Sequence, residues 1–413
     1  MPLRIVASKP DPALVTLPWH LPLEEWSDEV VVPLPRGISR HVVRIVRLDL
    51  EVYAVKETRE PIAFREYRML RDLRRLDLPT VEPVAVITGR EAANGEEIEP
   101  ALVTRHLRYS LPYRSLFSHG LRADSLPKLI DALAVLLVRL HLAGFFWGDV
   151  SLSNVLFRRS AGEFTAYLVD AETGELHEQL SRGQRAHDLE VAYVNLFGEL
   201  LDLQAGALLD EEVDAHAIVD LVEERYTALW NELTGIEEFD ASEMWRIEQR
   251  VERLNKLGFD VDELDIVTDW SGSTVRLQPK VVEAGHHSRE LQSLTGLDVE
   301  DNQARRLLND LASYIAGHDL GAEDRAVVAQ RWMAEIYQPI SAMVPKEMRG
   351  KLEPAEIFHE ILEHRWFLSE RAGHEIDIFA SARDYIKTVL ANRPEEAVTA
   401  TDDPDMLMPP ARG

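Results

Sequence analysis

The apolar positions fall first into strand-length runs and then into helix-length ones. Three segments rich in β-forming residues come early: EVVVPL from Glu29, HVVRIVRL from His41 and EVYAVKE from Glu51. The first two are separated by a short turn carrying Pro35 and Gly37. FREYRMLRDLRRL follows, and Phe64, Tyr67, Leu70, Leu73 and Leu76 share one face of a helix. VEPVAVI and ALVTRHL read as further strands, joined through a polar hairpin loop, GREAANGEE. The pattern is therefore a small sheet with one helix inserted after its third strand, preceded by an extended stretch bearing Pro10, Pro12, Pro18 and Pro22.

The character changes at Ser125. SLPKLIDALAVLLVRLHLA predicts a strongly apolar helix, with Ser125 as cap and Pro127 in its first turn. A short loop, two brief strands around NVLF and AYLVD, and helix-rich sequence carry the chain to Lys256. A boundary near Gly258 precedes a hairpin, DIVTDW-SGS-TVRLQPKVV, and four helical stretches. Residues from Arg393 onward are Pro-rich and acidic, which predicts a disordered tail.

Length and composition change this picture little. A chain of 413 residues calls for two or three cores. Its 45 basic against 72 acidic residues give a net charge of −27, which opposes nucleic acid or an anionic membrane as partner. No apolar run reaches membrane-span length, since Lys128, Asp131, Arg139 and His141 interrupt the strongest one. The absence of cysteine excludes disulfides, thiolate nucleophiles and Cys-ligated zinc, and a reducing cytoplasm is the simplest setting.

The chemistry lies between the strands and the long helices. LHLAGFFWGDVSLSNVLF runs helix, loop, strand, and sets Asp149 five positions before Asn154. Sixteen residues beyond Asn154, the apolar run AYLV ends in Asp170. Upstream, VYAVKE closes the third strand on Lys56, and the next helix supplies Glu66. Phosphoryl transfer from ATP needs a cation on the phosphates, a carboxylate for that cation, oxygen ligands for magnesium and a group to orient the attacking hydroxyl. These residue types, in this order, satisfy that list.

The chain resembles the protein-kinase-like superfamily, and within it the lipopolysaccharide-kinase-like and atypical bacterial branches. It is also similar to an uncharacterised actinobacterial family that joins such a region to a C-terminal domain of unknown function. The resemblance implies an α+β, bilobal protein-kinase-like fold with an additional α-rich C-terminal domain. Its divisions are a lead-in over 1–29, an N-lobe over 30–107, a helical C-lobe over 108–257, the extra domain over 258–392 and the tail over 393–413. It implies an ATP- and Mg2+-dependent phosphotransferase acting on a hydroxyl of a small molecule or glycan, with an atypical protein kinase and a nucleotide-binding pseudokinase as alternatives. Asp149 takes the role of catalytic base, Lys56 that of phosphate-pairing lysine with Glu66 as its partner, and Asn154, Asp170 and Glu172 those of metal ligands. Gly37 and Ser39 fall at the phosphates, and the backbone of Arg105, His106 and Leu107 at the adenine edge. Asp188 is read as an anchor for the loop around Asp149.

Two departures from the family pattern stand out. Trp147 occupies the position where most relatives have His. Ser151 stands where ordinary Ser/Thr kinases carry Lys, which favours the atypical and small-molecule branches. His359 and His364 lack the spacing of a zinc motif and read as a solvated helix face. Trp332, Tyr337, Trp366 and Phe367 read as core of the C-terminal domain.

Overall fold

In the computed structural model, the structure describes residues 2–8, 11–27, 30–32, 41–48, 51–118, 125–243, 245–268 and 274–393. The chain forms two compact units, one holding residues 1–158 and 164–224, the other residues 159–163 and 225–394.

The first unit opens with a five-stranded antiparallel sheet. Its order is Arg4–Ala7, Pro83–Thr88, Ala101–Arg105, Glu51–Glu57 and Val43–Leu48. Successive side chains of a strand point to opposite faces. One face packs against the opening residues of the chain, where Leu14, Leu17, Trp19, Leu23 and Trp26 join Tyr53, Val55, Ala85, Ile87 and Val103 in one core. The helix Glu60–Arg75 crosses the central strands and buries Ala63, Tyr67, Leu70 and Leu73. Covered on both sides, Pro83–Thr88 is buried at every residue, which is why it reads as an unbroken apolar run.

These observations correct three expectations. The opening residues are an edge strand and two short helical turns sealed into the core, not an extended lead-in, because their Leu and Trp side chains roof the sheet. The described part of EVVVPL forms no strand beyond a single bridge from Val31 to Val46. Leu76 ends the helix with its side chain half exposed, whereas Glu66 is buried on the core side.

The helical half of the first unit is built on Leu126–Leu142 and Arg182–Ala205. Apolar on nearly every side, the former is almost wholly buried. Between them, Val155–Ser160 and Glu163–Leu168 form a sheet with Ser110–Pro112, and Asn154 and Asp170 flank this hairpin.

In the second unit Glu237–Asp240, Thr274–Ala284 and Phe259–Thr268 make a three-stranded antiparallel sheet. Residues 225–257, placed by sequence before the boundary at Gly258, group with this unit. The reason is visible in Arg250, whose buried guanidinium holds Glu237 and the Glu232 carbonyl, and in the pairing of Glu237–Asp240 with Thr274–Leu277. The remaining helices enclose a core around Leu311, Trp332, Phe358, Ile361 and Tyr385. Trp332 and Tyr337 lie in that core as expected, whereas Trp366 and Phe367 are exposed. A π turn at Met333–Tyr337 precedes Pro339, which has no N–H to continue the α-helical ladder. The predicted tail lies outside the described residues from residue 394 on.

Candidate functional site

Lys56 is on the face of its strand that looks toward the helix Glu60–Arg75. Its ammonium donates to Asp170 Oδ2 at 2.6 Å, Glu66 Oε2 at 3.1 Å and Glu172 Oε2 at 3.2 Å. One cation thus meets three carboxylates, and His41 Nε2 lies 3.3 Å from Glu172. Burial works against the charge on Lys56, but Glu66, Asp170 and Glu172 outweigh it and raise the lysine pKa. Burial, reinforced by Asp170, pushes Glu66 up to about 8 despite its bond to Lys56. The carboxylates of Glu66, Asp170 and Glu172 each offer an oxygen within 4.8 Å of the others. Hard oxygen donors carrying surplus negative charge suit a hard divalent cation such as Mg2+.

The loop bearing Asp149 is held by one face of the helix Arg182–Ala205. Asp188, Asn195 and Glu199 recur at intervals of seven and four residues, so they stack along that face. Asp188, fully buried, accepts the N–H of Trp147 at 2.9 Å and of Gly148 at 2.7 Å, and meets His141 Nε2 at 3.0 Å. Burial lowers the His141 pKa against the opposing pull of Asp188. Glu199 accepts the N–H of Leu152 and Ser153, each at 2.8 Å, and the Ser153 hydroxyl. Between them Asn195 Nδ2 donates to Asp149 Oδ1 at 3.3 Å and to the Val150 carbonyl at 3.1 Å. Asn154 Nδ2 reaches the other side of Asp149, at 3.1 Å from Oδ2 and 3.0 Å from its carbonyl. Hydrogen bonds to charged groups contribute about 1.5–3 kcal/mol each, so this ladder is ample to fix one loop conformation.

Two glycines permit the path. Gly148 has φ +76°, placing Asp149 after a left-handed residue. Gly144 has φ +80°, and a Cβ there would stand 2.0 Å from the His177 carbonyl. Trp147 is fully buried, and its carbonyl accepts the Thr173 hydroxyl at 2.8 Å, joining the loop to the segment after Asp170.

The structure brings Lys56, Glu66, Asp170 and Glu172 into one cluster and Asp149 and Asn154 into a second. The N–H of Arg105 donates to Glu82 and that of His106 to Val52, which continues the sheet through the expected adenine edge. Burial, with Arg108 adding, pushes the His106 imidazole down to about 4. Gly37 and Ser39 lie outside the described residues. Sequence reasoning named Asp188 as an anchor and missed Asn195 and Glu199. Their D-x6-N-x3-E spacing was the available signal, a polar stripe at helical period.

A sheet crossed by one helix, followed by a helical half carrying the Asp149 loop, is the bilobal protein-kinase-like fold. In keeping with it, residues 43–199 match the model of the lipopolysaccharide kinase (Kdo/WaaP) family. Residues 228–390 match a domain of unknown function, DUF4032. The protein is therefore kinase-like in its first half and carries a DUF4032-like region in its second. No curated protein matches the chain. A solved structure described as "WaaP in complex with acyl carrier protein" is similar at 18% identity and a TM-score of 0.32, over 55% of this chain and 99% of that one. None of the described helices is long and apolar enough to cross a membrane.

Proposed function

We propose that the first unit is an ATP- and Mg2+-dependent phosphotransferase acting on a hydroxyl of a small molecule or glycan in a cytoplasmic setting. The observation that carries this reading is Lys56 tied to both Glu66 and Asp170, in the same unit as an Asp149 oriented by Asn154. Lys56 pairs with the ATP phosphates, and Glu66 keeps it placed. Asp170, Glu172 and the Asn154 side-chain carbonyl would hold the metal, which would supply neutralisation of the phosphate charge. Leu107 N–H and the neighbouring carbonyls face the adenine, since the Arg105 and His106 N–H groups already serve the sheet. Asp149 accepts the proton of the acceptor hydroxyl as its oxygen bonds to the γ-phosphorus and the bond to the ADP oxygen breaks.

The test is ATP–Mg binding and slow ATP hydrolysis by the full chain, beside Asp149→Ala and Asp170→Ala. Binding with turnover that both variants lower by orders of magnitude, to a residual rate, supports the reading. Binding without turnover, in the presence of candidate acceptors, assigns a nucleotide-binding regulatory module instead. Autophosphorylation detected by mass spectrometry directs the acceptor search to proteins. Failure to bind ATP sinks the proposal.

A further inference from the structure

We infer that Asn195 is a positioning residue for Asp149, acting independently of the metal ligands; its consequence for catalysis rests on the phosphotransferase reading. Its amide is the middle rung of the ladder, and unlike Asp188 and Glu199 it reaches the Asp149 carboxylate itself as well as the backbone. Asp188 and Glu199 take loop N–H groups, which fixes where the loop runs. Asn195 donates to Asp149 Oδ1 and to the Val150 carbonyl, which fixes how the carboxylate is turned. The two oxygens of Asp149 are therefore held by two different amides, Oδ1 by Asn195 and Oδ2 by Asn154.

The two amides are not equivalent. Asn154 would have a second duty in the proposed reaction, because its carbonyl oxygen would be offered to the metal while its amide nitrogen holds Asp149. Asn195 has no such duty: its amide nitrogen is given to Asp149 and to the Val150 carbonyl. Both donors are neutral, so they orient the carboxylate while leaving each oxygen a lone pair for an acceptor hydroxyl. A lysine or arginine in place of Asn195 would instead pair with Asp149 and compete for it. With serine at position 151, no lysine follows two residues behind Asp149 to assist. Geometry at the base then depends on the helix behind the loop, and misplacement of about 1 Å is enough to lower turnover strongly.

The experiment measures slow ATP hydrolysis by the full chain, with water as acceptor, for Asn195→Leu in wild-type and Asp149→Ala backgrounds. The expected result is a kcat about tenfold lower, with KM for ATP and the magnesium activation constant within twofold of wild type. In the Asp149→Ala background the same substitution should cost nothing further, because the residues act as one unit. An equal loss in both backgrounds, or a parallel rise in KM, overturns the inference and leaves Asn195 a structural residue. Asn195→Ser, which fits the same space, is read identically should the leucine variant misfold. If the wild type shows no turnover with water or with candidate acceptors, the phosphotransferase reading fails by itself. A crystal structure of the variant then decides: a turned Asp149 carboxylate upholds the inference, and an unmoved one overturns it.

Discussion

Lys56 and Glu57 are neighbours on one strand and serve two unlike charge clusters on opposite faces of one sheet. On one face, Glu57 meets Arg90 at 2.7 Å, and the same carboxylate oxygen accepts the Leu23 N–H at 2.9 Å. Arg90 also donates to the carbonyls of Trp19, Leu21 and Glu99. Its side chain is 0% exposed, one cation faces one anion, and the donors are matched by acceptors. On the other face, Lys56 meets three carboxylates, two of them about one-fifth exposed. The balanced, sealed cluster pins the opening residues of the chain to the sheet. The unbalanced one leaves two partly exposed carboxylates and a buried one around a single cation, the arrangement the proposed metal site would use.

That contrast can be broken most sharply by activity. Asp170→Asn should lower ATP turnover by roughly 10³-fold, as losses of charge-stabilising groups do. Its thermal midpoint should stay level or rise, since a like charge is removed; a fall in stability matching the fall in turnover would erase the distinction. Arg90→Met should do the reverse. Removing one partner of a buried ion pair costs roughly 3–5 kcal/mol, read by denaturant unfolding, while the Lys56 cluster keeps its residues.

Magnesium provides an intermediate effect. At a concentration of 100 Kd an ion bound only by the folded state adds about 2.7 kcal/mol, seen as a raised melting temperature. The rise should vanish in Asp170→Asn and persist in Arg90→Met. The smallest effect concerns His106, whose folded pKa of about 4 lies below its ordinary 6.5. The unfolded chain takes up that proton first, so the contribution is complete above pH 6.5 and is lost as pH falls toward 4. Unfolding followed across that window should show less acid sensitivity in His106→Gln. The difference should be at most about 3 kcal/mol, since each unit of pKa shift is worth about 1.36 kcal/mol.

The same contrast explains what could be read in advance. The proposed residues Asp149, Asn154 and Asp170 could be named in advance because phosphoryl transfer calls for fixed residue types at short separations along the chain, and Lys56 because it closes a strand of β-forming residues. The strands and helices around them were legible because burial on one or both faces imposes a period of two or 3.6. Arg90 looked like a loop residue because three of its four partners, Trp19, Leu21 and Glu57, lie more than thirty positions away. The opening segment looked extended because four prolines mask a set of Leu and Trp side chains whose role exists only against the sheet.

The sequence by itself determined the kinase-like pattern, the order of its parts and the identity of the residues offered for chemistry. Only the tertiary structure decided that Asp170 and Glu172 join Glu66 on Lys56, and that Asn195 and Glu199 join Asp188 in holding one loop. The reason is physical: a motif is a constraint along the chain, whereas a charge cluster or a ladder of supports is set by which faces pack together. Helix Arg182–Ala205 carries its polar stripe at ordinary spacing, and the stripe gained meaning only when the Asp149 loop was laid across it.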